Sequence, residues 1–277
     1  MMIRMTWSDL EKAFNRAILL SLSKKKILLA FPILVLCGIL IVFCRAVAFE
    51  TSDWIAMSLV FLPILLSSGI LMALGVLLVR IHVHEVKHLT LSFRRLIAGS
   101  LDLIVGTSYL SVPPILVYLF LWILLGLFFL LKEIPHIGDF FGVVFSFAPF
   151  LLIFGSLLLC IFNLGLLFFV APAAALQPLK RVSLAKRVLE VLRLHLFTGL
   201  VLFFVAIIPI CFLVGVLILA ALLTNVSFLI AERSLSIGLE WFFIMLPFCA
   251  LLTPAVIFFF NFAAESYQIL HSKTTQR

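Results

Sequence analysis

His84-Glu85-Val86-Lys87-His88 is the stretch whose residue types and spacing come nearest to a reaction centre. Two histidines four positions apart lie one turn apart on a helix, where both imidazoles can bind zinc while the glutamate between them activates water. In that reading His84 and His88 are the ligands and Glu85 is the general base. Lys87 argues against it, because it sets a cation beside the position a dication would occupy. At about 100° per residue, both histidines also point away from the Val86, Leu89 and Phe93 stripe and toward water. His82 adds a further imidazole nearby. The simpler reading is a solvated helix with no metal and no cofactor.

The elements that must carry these residues are set by composition. Of 277 residues, 65% are hydrophobic and 12% charged, 30 are Phe, and mean hydropathy is +1.34. A water-facing domain of this size needs roughly a quarter charged residues to cover its surface. A soluble enzyme is excluded, and so is a disordered chain, which would be poor in large apolar side chains. The expectation is an all-α, polytopic membrane protein, one integral membrane domain over residues 1–277.

Six apolar runs are long enough to cross a hydrocarbon layer that takes about 20 helical residues. They extend from Ile27 to Cys44, Trp54 to Val79, Leu103 to Leu131, Phe140 to Val170, His195 to Leu223 and Glu240 to Ala263. Continuous apolar runs point to helices, since barrel strands alternate over about ten residues. Ala46-Val47-Ala48 after the first run imitates a signal-peptide cleavage site, but Pro32 and the internal pattern below favour a retained span.

Seventeen of the Lys and Arg residues fall on the side of the N-terminus, against Arg45, Lys132 and Arg233 on the other. That bias predicts both termini in the cytoplasm, in a cell inner membrane. It also accounts for the net charge of +8 through contact with anionic headgroups at the cytoplasmic face, with no nucleic acid as partner.

Prolines mark the spans in pairs: Pro32 with Pro63, Pro114 with Pro149, and Pro209 with Pro247. Each pair follows a basic amphipathic stretch. In the first stretch Trp7, Leu10, Phe14, Ile18 and Leu22 form the apolar face; in the second Val86, Leu89, Phe93, Leu96 and Ile97; in the third Val182, Ala185, Val188, Leu189, Leu192 and Leu196. The predicted unit is an interfacial helix followed by a hairpin of two kinked spans, used three times over residues 1–81, 82–178 and 179–271.

No span carries an ionisable residue near its centre, which argues against a proton-coupled pump. Asn163 and Asn261, each 14 residues after a marker proline, are the intramembrane polar candidates. They serve either as helix-joining amides or as ligand-binding groups lining a cavity between hairpins. Ser67, Ser68, Gly69, Gly155, Ser156 and Thr253 read as close-packing positions. The five cysteines read as apolar packers.

Two resemblances follow. The five-residue motif at His84 resembles the zincin metallopeptidases, which makes a zinc-dependent membrane peptidase the alternative function. The basic lead-ins, the proline-marked hairpins and the Phe169-Val170-Ala171-Pro172 exit from the fourth span resemble a group of uncharacterised bacterial six-span proteins. These are similar to the membrane domain that precedes some glycerophosphodiester phosphodiesterases. No phosphodiesterase domain accompanies it in this sequence. The expected function is non-catalytic: membrane organisation, lipid contact or facilitated transport of a weakly polar solute.

Overall fold

The computed structural model describes residues 7–48, 51, 53–87, 109–132, 134, 143, 147–176, 196–223 and 234–275. Among them it is helical. α1 (Trp7–Leu19) passes through a 3-10 turn (Leu20–Leu22) into α2 (Lys24–Ala48). Then follow α3 (Asp53–Val86), α4 (Val112–Lys132), α5 (Ala148–Leu176), α6 (Leu196–Leu223) and α7 (Ser234–Thr275). Six of these, α2 to α7, are long and apolar enough to cross a membrane. The chain is a multi-pass membrane protein.

The helices differ from the apolar runs mainly at one end of the bundle. α3 continues seven residues past Val79, α5 six past Val170, and α7 reaches Thr275. At 1.5 Å per residue, the 34 residues of α3 extend about 51 Å, well beyond a hydrocarbon layer of roughly 30 Å. In α3 and α7 the apolar run stops at or just before the first charged residue but the helix does not, because its later polar groups find partners inside the protein, whereas the added residues of α5, Ala171 to Leu176, are apolar and mostly buried. The boundary expected at 81/82 therefore falls within α3.

The prolines also need correction. Pro32, Pro63, Pro209 and Pro247 lie inside helices, as do Pro172 and Pro254. Pro114 and Pro149, however, sit in the first turns of α4 and α5. There the missing N–H has no intrahelical acceptor to lose, so these two prolines start helices and do not kink spans. The helix carrying Pro172 runs on to Leu176, so Phe169 to Pro172 lies within α5 and does not end it.

α3 and α7 form the centre. α2 packs on both, α5 packs on both from another side, α4 closes on α3 and α5, and α6 lies against α7. Packing is uneven along the bundle. Nearly every residue of α3 from Met72 to Val83, of α5 from Leu167 to Ala175, and of α7 from Ala255 to Tyr267 is buried. Those segments share the end that bears α1 and Lys24 to Lys26, called here the basic end. Toward the opposite end burial thins to a small cluster of Leu65, Tyr118, Trp122 and Leu125, in which the Tyr118 hydroxyl donates to the Ser58 carbonyl.

α1 packs by a face that shares Leu10 and Phe14 with the expected stripe but not Ile18 or Leu22. Ala13 and Ala17 are buried, Leu10 and Phe14 pack beside them, and the Phe14 ring meets Phe258 and Phe262 edge-on at 5.2 and 6.1 Å. Ile18 and Leu22 are exposed. One face of α1 thus grips α7, one offers aliphatic side chains outward, and Lys12 and Arg16 occupy the remaining polar side. The second and third amphipathic stretches beyond Lys87, and His88 with them, lie outside the described residues.

Candidate functional site

At the basic end the 3-10 turn brings Lys26, in the first turn of α2, into the protein, where its side chain is 0% exposed. A cation at a helix N-terminus opposes the helix dipole, so this position needs a carboxylate close by. Glu85 of α3 supplies it, with Oε2 2.7 Å from Lys26 Nζ. Its other oxygen accepts from the hydroxyl of Ser23, the extended residue just before α2, at 3.1 Å. Lys26 Nζ also donates to Asn261 Oδ1 of α7 at 3.1 Å and to the Leu20 carbonyl at 3.3 Å. Three oxygens thereby surround the ammonium, one as an ion-pair partner and two as hydrogen-bond acceptors.

The cluster extends through His82. Its Nδ1 faces the Lys26 ammonium at 3.5 Å, and its Nε2 is 2.9 Å from Glu265 Oε1. This arrangement suits an imidazole carrying its proton on Nε2, with the bare Nδ1 toward the cation. Glu265 also meets Arg16 of α1 at 3.5 Å, and Asn261 Nδ2 donates to the Ala17 carbonyl at 3.3 Å. With His82 neutral, Lys26 and Arg16 balance Glu85 and Glu265. Four segments, α1, α2, α3 and α7, are fastened in one electroneutral network.

The histidine motif is drawn into this arrangement. Glu85 is held between Lys26 and Ser23, and His84 Nδ1 donates to the Arg80 carbonyl one turn earlier at 2.7 Å. Arg80 itself reaches the Ala175 carbonyl in the last turn of α5 at 3.5 Å, where a helix has carbonyls without intrahelical partners.

The two asparagines are not brought together. Asn261 belongs to the ionic network, whereas Asn163 lies on α5, buried, with an Oδ1 that has no hydrogen-bond partner among the described residues. The sequence leads one to expect a cavity lined by both amides. A different one is present: a cleft of about 390 Å³ between α2, α3, α6 and α7, in the half of the bundle away from the basic end. Its walls are almost wholly aliphatic and aromatic. It extends from Leu34 and Leu252 near mid-bundle to Arg45 and Trp241 at the mouth, where the Arg45 guanidinium lies 4.6 Å from the centre of the indole. Neither asparagine lines it.

Lys26, His82 and Glu265 escaped sequence reasoning, which gave none of them a place in a site. Lys26 meets His82 across 56 residues and Asn261 across 235, and His82 meets Glu265 across 183, and no local pattern announces such pairs. Arg45 carried a signal, as a basic residue on the side where such residues are rare. Compared with known protein families, with curated proteins and with solved structures, the chain finds no match.

Proposed function

We propose that this chain is a non-catalytic multi-pass protein of the cell inner membrane that holds a lipid-like molecule. The ligand enters the cleft from the half of the bilayer opposite the basic end. The carrying observation is the cleft itself: an open, apolar space of a size typical of ligand sites (roughly 300–1,000 Å³), in a bundle that is tightly packed and ion-locked at its other end. The bias of Lys and Arg, seventeen against three, supports cytoplasmic termini, with the exposed cations of α1 meeting anionic headgroups there. The resemblance to bacterial six-span proteins related to a phosphodiesterase membrane domain belongs to this reading.

The test is lipid retention. Protein purified in mild detergent should keep about one amphiphile per chain through a delipidating wash, as measured by mass spectrometry of extracts. A chain that comes through the wash bare defeats the reading. Reporter fusions should place both termini in the cytoplasm. Glu85→Gln should leave bound zinc and proteolysis unchanged in the folded fraction; loss of either would put the metallopeptidase in its place.

A further inference from the structure

We infer that the cleft measures chain length: Leu34, Leu71 and Leu252 form a floor that admits a hydrocarbon chain of about 13 carbons and gives a longer one nothing more. The inference rests on the lipid-holding reading and adds the class of chain that the cleft selects.

The floor is built by three helices at one depth. α2 starts at the basic end, whereas α3 and α7 run toward it, so the innermost cleft residue is the first in sequence on α2 and the last on α3 and α7. Those residues are Leu34, Leu71 and Leu252. About one turn further in, Ala30 and Leu74 are 0% exposed and Val256 is buried with them in the main core. The interior there is close-packed, so a chain cannot continue along the bundle past the leucines.

The mouth fixes the other end of the measure. Trp241 lies on α7 where that helix enters its apolar run, and Arg45 lies in the last turn of α2, positions at the height of lipid headgroups. From Leu34 to Arg45 and from Trp241 to Leu252 is in each case eleven residues of helix, about 16 Å at 1.5 Å per residue. An extended chain of atoms advances about 1.2 Å per bond, as an extended peptide backbone does, so about 13 carbons cover that distance.

Contact is what the cleft adds. Methylenes are as much at home in lipid or in a micelle as beside leucine, so the protein competes only through closer contact between chain and wall. Each carbon as far as the floor gains such contact; a carbon beyond it bends back into lipid and gains none. Gly38 keeps the wall closed midway. A Cβ there would come 2.2 Å from Met245 Sδ and 3.2 Å from Cys249 Sγ, so glycine is what lets α2 meet α7 at that level.

The experiment is native mass spectrometry of the whole chain in detergent, offered lysophosphatidylcholines of even chain length from about 10 to 18 carbons at equal mole fraction, which bracket the expected limit. A single headgroup keeps the contacts at the mouth constant. Retention should rise with chain length up to about 13 carbons and stay level beyond. Leu34→Ala and Leu252→Ala, each lowering the floor, should move that limit to longer chains by about two carbons, and Leu71→Phe should draw it back by a similar step. Val214→Trp, at an exposed position on the cleft wall, should displace chains of every length; Ile41→Trp repeats the test from the α2 side. If chains are held and the tryptophans expel them, but no limit exists or the floor variants leave it unmoved, the length selection is wrong and the lipid-holding reading stands. If no chain is retained, or the tryptophans change nothing, both are wrong.

Discussion

Lys26 shows how far a residue's meaning depends on partners distant in sequence. Read locally, Lys24, Lys25 and Lys26 are three equivalent cations in front of a span; in the fold the first two are exposed and the third is fully buried. A buried ammonium is tolerated because Glu85, Asn261 and the Leu20 carbonyl replace its water. Removing only the cation leaves their oxygens facing one another. Lys26→Met should destabilise the protein by about 3–5 kcal/mol, toward the lower end because Glu85 is partly exposed. Adding Glu85→Gln should restore part of that loss, so a thermal-unfolding cycle in detergent should show the two changes to be non-additive. Strict additivity would mean that the pair does not interact.

The asparagines supply a contrast at the same scale. Both looked alike in sequence, each following Phe at the same distance from a proline. Asn261 satisfies Lys26 and Ala17, so Asn261→Leu should lower the unfolding midpoint clearly, by about 1–3 kcal/mol for the groups it orphans. Asn163 has an Oδ1 with no partner among the described residues, so Asn163→Leu should be neutral or stabilising. Equal losses at both positions would contradict the network as described.

At the scale of elements, the apolar runs made six spans legible, because lipid leaves the backbone few options besides helix. Their ends were not legible, since α3 and α7 run on where packing satisfies polar groups and α5 runs on where packing buries small apolar residues. The close contacts were only partly so. Gly69 and Gly155 drew attention, yet a Cβ at Gly155 would meet Leu121 at an ordinary 3.5 Å, whereas one at Gly75 would lie 2.3 Å from the Phe260 ring. Phe260 is itself almost completely buried, so the ring has nowhere to move. Gly75→Val should therefore push α3 off α7 at a cost of about 1–3 kcal/mol or more. The variant should show a lower unfolding midpoint together with weaker retention of α1, whose contacts lie on the same stretch of α7. A midpoint equal to that of the native chain would show that the helices are farther apart than described.

For the whole molecule, the unequal packing of the two halves matters more than the threefold pattern of prolines. Sequence periodicity suggested three like hairpins, but burial concentrates at one end, where the last helix crosses the first two and the ionic network joins them. A bundle fastened at one end and separated at the other should fluctuate mainly where it is separated, since few buried contacts oppose opening there. Paired spin labels can test this in a background with the five native cysteines replaced. Labels at Ile41 and Ile218, both on the lining of the cleft, should give a broad distance distribution that narrows when a phospholipid is added. Labels at Lys12 and Lys87, both exposed at the basic end, should give a narrow distribution with or without lipid. If the basic-end pair proved as broad as the cleft pair, the network would not be a fastening, and the cleft would lack the rigid base needed to hold a ligand at fixed depth.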